Sequence, residues 1–552
     1  MGFALTLVSS HRVQIQMSLA RNLACSKGST LTVHPRSENM MKPTFACFVL
    51  MVLLGFLTPV TAADWPQYRG LHHDGSSLES IRTDWAIMPP KVLWKRSIEP
   101  GWSSITVRNG RAFTQVNRQV AGQSREVCVA LNADTGAELW AADLDVASYP
   151  DAGTGSTDGP RSTPSIDSDQ VYVLTSYLKL YALRVDTGAV VWSRDFLAEF
   201  AGNSVIHWQN AASPLVVGDL IFLNSNVAGQ RLTAVRKSDG VTVWSGQGDM
   251  MTHASPVYAT LAGVPQVVFL TALGLVGVTP ETGNVLWRYR FTPSITSAAA
   301  SPVVAGDFIY ASCAYSMGAW TARVTYDGDS FSVGEADFKR SSSYQNHWAT
   351  PVHHEGYLYG VVERGSRSLA CFSLAGRTNT WVTGTVGSGN PGFASLIKVG
   401  SKLLVLTESG ELVLLEPNPM AYTELSRYQA LSGASWNHPA YSNGRLYARS
   451  NVEIIALELA PTQPPIPALW LTAELLPGLG RLRLQVTTID GTPLTLAEAA
   501  RLKLETASVP STSITDWGSS AVVFEVVAGS LSAELPVPVE STFFRIREQE
   551  AP

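Results

Sequence analysis

The sequence predicts an all-β protein: an eight-bladed β-propeller with four-stranded blades, followed by a small β-rich, sandwich-like C-terminal domain. Three observations predict it. First, a turn box recurs: Asp134-Thr135-Gly136 leads to Trp140, Asp186-Thr187-Gly188 to Trp192, Asp239-Gly240 to Trp244 and Glu281-Thr282-Gly283 to Trp287. Asp bonds back to its own backbone and Gly takes positive φ, so each box is a tight turn. The tryptophan falls on the next strand, where a large rigid side chain wedges between layers. Second, a hydroxyl-proline pair heads a short apolar run at Thr163-Pro164, Ser213-Pro214, Ser255-Pro256, Ser301-Pro302 and Thr350-Pro351, with His438-Pro439 as a variant. Proline at the head of a strand costs no ladder bond. Third, both sets recur every ~45 residues, the period of a propeller blade.

Taken in order, residues 1–39 fit neither a signal nor a domain. Met40-Met41-Lys42, the apolar run from Phe45 to Leu57 and Val60-Thr61-Ala62 read as a secretory signal peptide over 40–63. The run is short for a membrane crossing, so the expected product is exported, to the periplasm, cell surface or medium, without a transmembrane span after cleavage. Residues 64–91 are polar and glycine-bearing and predict an extended arm over the following domain. The propeller occupies 92–460, with blade heads near 102, 162, 212, 254, 300, 349, 393 and 437. The matching outer strands carry Trp94, Trp140, Trp192, Trp244, Trp287 and Trp381 as blade-packing residues, with degenerate boxes near Phe338 and Tyr428. Trp94 precedes the first inner strand, so the N-terminal strand should form the outer edge of the last blade and leave no open edge. Seven blades is the alternative count. Residues 461–468 are a proline-rich linker. Residues 469–552 form the C-terminal β domain, with strands at Leu482–Val486, Val522–Val527 and Phe543–Ile546 and a short helix from Leu494 to Leu502.

A net charge of −5 with 15% charged residues offers no basic field for nucleic acid. Cys128, Cys313 and Cys371 lie in apolar runs and read as buried small hydrophobes, not a disulfide framework. The repeats resemble those of PQQ-like β-propellers, the quinoprotein alcohol dehydrogenase-like superfamily with its BamB-like members, over residues 64–460. The resemblance implies two alternatives. Quinoprotein dehydrogenases hold PQQ and calcium on the axis, using an Asp base, carboxylate and Asn ligands and often a disulfide between adjacent cysteines. This chain has no Cys-Cys pair and no matching motif, so no catalytic residue carries over and PQQ and calcium have no matching site. The other branch binds partners without catalysis.

Inner strands converge on the propeller axis, so the segments just before them ring one mouth of the channel. Those segments hold Trp102, Arg161, His207, Trp208, Asn210, His253, Asn346-His347-Trp348 and Trp436-Asn437-His438. Aromatic platforms with His, Asn and Arg donors suit a planar, anionic or sugar ligand. The same histidines could instead cap strand-end backbone groups and close the channel, or bind a metal, although ligands from separate blades stand far apart, and no metal residue is assigned. Glu363-Arg364-Gly365-Ser366-Arg367 reads as a solvated connection between strands, and Tyr149–Arg161 as a flexible loop over the mouth. The expected role is an exported, non-catalytic binding or scaffolding protein working through its axial mouth and face loops, with a protein, small-molecule or carbohydrate partner. A PQQ- and calcium-dependent dehydrogenase and a carbohydrate-binding or polymer-degradation accessory protein are the alternatives.

Overall fold

The computed structural model describes residues 64–150, 158–246, 249–293, 298–334, 344–364 and 366–461, and, beyond them, 469–476, 479, 481–488, 493–494, 498, 502–507, 518–519, 525–527, 530–536 and 543–548. The chain divides into two compact units, Thr58–Pro461 and one that takes in Thr462–Pro552.

The first unit is a ring of eight antiparallel blades. Blade 1 runs Thr106–Arg108, Arg111–Val120, Gln123–Asn132 and Glu138–Val146 from the axis outward. The inner strands of blades 2 to 8 begin at Ser165, Leu215, Val257, Val303, Val352, Ser395 and Ala440. Blade 8 supplies only three strands of its own; its outer strand is Lys91–Ser97, which pairs antiparallel with Glu453–Glu458 and sets Trp94 opposite Ala456. The ring is therefore closed by strand pairing between its two ends.

The turn boxes act between blades. Trp140 Nε1 donates to Val185 O, Trp192 Nε1 to Lys237 O, Trp244 Nε1 to Pro280 O and Trp381 Nε1 to Asn418 O, in each case in the turn of the next blade. Trp94 does the same across the closure, donating to Ala133 O. The next blade's box glycine lies on the rings of Trp94, Trp140, Trp192 and Trp244: a Cβ at Gly283 would stand 2.4 Å from the Trp244 ring. Trp287 differs, since its indole N–H donates to Gln266 of its own blade, while its ring packs with Ile309 and Trp320 of blade 5. Blade 5 ends in Phe331–Gly334, and the degenerate box expected near Phe338 lies outside the described residues.

The hydroxyl-proline heads form a second seam nearer the axis. The Ser104 N–H donates to Thr163 Oγ1, Thr163 N–H to Ser213 Oγ and Ser213 N–H to Ser255 Oγ, all fully buried. Ser301 N–H donates to Thr350 Oγ1, and His438 N–H to Ser104 Oγ across the closure. The proline immediately precedes the strand and the hydroxyl before it meets the neighbouring blade's amide, so the pair is a structural unit.

Residues 64–90 do more than cover a surface. Trp65 bridges Val107 of blade 1, Pro66 O accepts from Ile166 N–H of blade 2, and the Gln67 amide exchanges two bonds with Val216 of blade 3. The chain then crosses the axis. Arg69, 1% exposed, donates to Thr350 O and Pro351 O of blade 6. Ser76–Ser77 pairs in parallel with the inner strand of blade 7, and the Glu79 carboxylate accepts from the amides of Asn443 and Gly444 in blade 8. The segment is a strap that closes one end of the channel.

In the second unit, one sheet orders Leu469–Leu476, Arg481–Thr488, Ser530–Pro536 and Glu525–Val527, and another orders Gly518–Ser519, Leu502–Ala507 and Phe543–Glu548. Arg481–Thr488 alternates exposed and buried residues, burying Leu482, Leu484 and Val486. The helix expected over 494–502 lies mostly outside the described residues, and Leu502 itself opens a strand. Residues 40–63 lie outside them too. Among the described residues no helix is long and apolar enough to cross a membrane.

Candidate functional site

Where the blade heads converge on the axis they enclose a cavity of about 380 Å³, within the usual size range of small-molecule sites. Nine of the twelve sequence-derived candidates line it: Trp102, Arg161, Trp208, His253, His347, Trp348, Trp436, Asn437 and His438. Three do not. His207 is exposed, beside Trp208. Asn210 turns into the blade junction and donates to Thr175 O and Ala212 O. Asn346 is fully buried, donating to Val361 O and accepting from Tyr310 Oη.

The wall is a continuous aromatic belt. Trp102 and Trp436 stack at 4.1 Å between centroids, and Trp348 and Phe393 at 3.8 Å, with Trp436 tilted against Trp348 at 5.2 Å. His347 lies 4.3 Å from Trp348, and Tyr315 meets His347 edge-on. The indoles are held from behind: Trp102 Nε1 donates to Asp158 Oδ1 and Trp436 Nε1 to Glu408 Oε1. The floor is Tyr68 from the strap, edge-on to His438.

Four charged residues line the cup. Asp158, 2% exposed, also accepts from Gly159 N–H and from Arg161 Nη2 at 2.9 Å. Arg367 lies over the Phe393 ring, and Glu363 stands 3.7 Å from His347 Nδ1. The expectation of a solvated connection at Glu363–Arg367 is thus corrected. Strands Tyr357–Arg364 and Ser366–Ser373 of blade 6 are eight residues each, longer than most of their counterparts, and carry both side chains to the cup. The flexible-loop reading of Tyr149–Arg161 is corrected at Asp158, which is part of the wall; residues 151–157 lie outside the described residues. Burial, with Arg367 and His253 adding, lowers the His347 pKa to about 4. Burial and Arg69 lower that of His438 to about 3, against the bond to Leu396 O that raises it. Both imidazoles are neutral at pH 7.

The donor set fits calcium poorly. Asp158 is committed to an indole, an amide and a guanidinium, and a hard cation needs several convergent oxygens. Among the described residues no group of three or more His, Cys, Asp or Glu side chains could hold a metal ion. Cys128, Cys313 and Cys371 are buried in the blades, and none of the three is in a disulfide.

A ring of eight four-stranded blades is a β-propeller, and its tryptophan-on-glycine junctions are similar to those of PQQ-like propellers. The profile of a family described as outer membrane protein assembly factor BamB matches residues 123–382. BamB of Moranella endobia (strain PCIT) is 27% identical over 252 residues, 41% of this chain and 60% of that protein, so the chain spans less than two thirds of the curated relative it matches. Among solved structures, the quinohemoprotein alcohol dehydrogenase of Comamonas testosteroni aligns over 75% of this chain and 83% of its own, with a TM-score of 0.52 and 14% identity. BamB from Moraxella catarrhalis aligns over 68% of this chain and 99% of its own, at 0.48 and 16%.

Proposed function

We propose that this chain is a non-catalytic binding protein that receives its ligand in the axial cup. The carrying observation is the cup itself: a 380 Å³ hollow at the mouth of the ring, walled by stacked aromatics and floored by the strap. Ring closure, tryptophan docking and the hydroxyl seam hold the wall rigid, so little ordering entropy is lost on binding. The likeness to an outer membrane protein assembly factor supports a binding or scaffolding role, and with the signal-like segment at 40–63 it supports an exported location. A protein partner that inserts a side chain into the cup falls within this reading. Quinone-dependent dehydrogenation is the weaker reading, because Asp158 is engaged by its neighbours and, among the described residues, no three carboxylate, His or Cys side chains converge.

The test is a fluorescence screen of the full chain against a chemically diverse library. Ligands entering the cup should quench or shift emission from Trp102, Trp348 and Trp436, and Trp436→Ala should abolish the response. Ligands that bind Trp436→Ala and wild type equally would place recognition elsewhere and overturn the proposal.

A further inference from the structure

We infer that the cup selects a neutral saccharide, seating a sugar ring on the Trp348–Trp436 wall and meeting its hydroxyls with the polar side chains of the lining. This rests on the cup being the binding site and goes on to name the class of ligand.

Charge is the first ground. The lining holds Asp158 and Glu363 against Arg161 and Arg367. Immediately behind it stand Glu408, under Trp436, and Arg69, next to Tyr68. Positive and negative groups balance in both layers, and His347 and His438 add no charge at neutral pH. An anion with several carboxylates or phosphates would meet no net positive field, and a cation no net negative one.

The second ground is the mixture of unmet polar atoms. Among the described residues, Trp348 Nε1, Arg161 Nη1 and Arg367 Nε are buried donors without a partner, while Glu363 Oε2 and Asn437 Oδ1 are acceptors without one. Asn437 spends its amide N–H on Ser103 O, and His438 sets Nδ1 against Leu396 O. With Nδ1 protonated, His438 Nε2, which also has no partner, accepts. Leaving such atoms unmet under a bound ligand is costly. A hydroxyl both donates and accepts, so a polyol answers both kinds around one ring. A carboxylated quinone answers the donors but turns its own oxygens on Glu363 and Asn437.

The third ground is shape. Trp348 and Trp436 line the cavity and are each partly exposed. The C–H face of a pyranose is apolar and packs on an aromatic face, while its equatorial hydroxyls point outward to polar side chains. Aromatic faces with a polar lining suit neither a purely apolar guest nor a strongly charged one.

The test is calorimetric titration of the full chain with cellohexaose, xylohexaose, maltohexaose and laminarihexaose, with hexagalacturonate, and with PQQ plus calcium. The expected result is binding of at least one neutral oligosaccharide, weakened about tenfold or more by Trp436→Ala. Trp348→Phe keeps a stacking face while removing the indole N–H, and should weaken it by less. Trp436-dependent binding of hexagalacturonate or PQQ alone would overturn the neutral-saccharide inference and leave the cup as the site. Neutral oligosaccharide binding that ignores both substitutions would overturn the inference and the cup together. Silence across the panel would overturn the saccharide class, while the fluorescence screen decides the cup independently.

Discussion

Replacing Gly283 by alanine should expose how the ring is held together. Gly283 has φ +68°, and a Cβ there would lie 2.4 and 2.5 Å from two atoms of the Trp244 ring. The left-handed conformation costs alanine about 1–2 kcal/mol. Forcing a methyl into the packed tryptophan adds about 1–3 kcal/mol. The expected loss is therefore about 2–5 kcal/mol. Gly218 is the control: its φ is +57°, with nothing within 4 Å of the added carbon, so Gly218→Ala should lose only the conformational part. The assay is urea unfolding of the full chain, followed by the fluorescence of the ring's tryptophans. Trp244→Ala completes a double-mutant cycle. In that background Gly283→Ala should cost no more than Gly218→Ala. Equal losses for the two glycines in the wild-type background, or no coupling to Trp244, would refute tryptophan-on-glycine docking.

Three other outcomes are expected. His347 and His438 have folded pKa values near 4 and 3, below the ordinary 6.5. The unfolded chain therefore takes up protons first as pH falls, so their contribution is complete above about 6.5 and is lost progressively below it; His438→Gln should flatten the stability slope between about pH 6.5 and 5, measured by denaturant midpoints. Arg69→Met strips donors from Thr350 O, Pro351 O and Asp74 O. It should cost about 2–5 kcal/mol, admit protease to the strap and weaken ligand binding through Tyr68. Ser213→Ala leaves the Thr163 amide unmet and should lower stability by about 1–3 kcal/mol without altering ligand affinity.

The ring was legible because its signals are local and periodic. An acid-glycine turn, a tryptophan and a hydroxyl-proline head repeat in every regular blade, and the early position of Trp94 alone implies closure by the N-terminal strand. The cup was legible in part, since a residue just before an inner strand must face the axis. Phe393 obeys the same positional rule as Trp102 and Trp436 and could have been found by it. Tyr68 could not, because the period does not say where a polar strap crosses. Glu363 and Arg367 reach the cup through a hairpin whose only sequence sign is the longer strand pair of blade 6. Asn210 and Asn346 look like ligand residues by position, yet their amides satisfy backbone groups at blade junctions. Sequence position does not distinguish a side chain aimed into the channel from one turned into the wall.

The most direct measurement of the central claim is a crystal structure of the full chain with the tightest ligand from the fluorescence screen. The account predicts ligand density in the axial cup, with a ring face against Trp348 or Trp436 and polar groups at Glu363, Arg367 and His438. Density on the outer strands or on the C-terminal unit, with water alone in the cup, would contradict it.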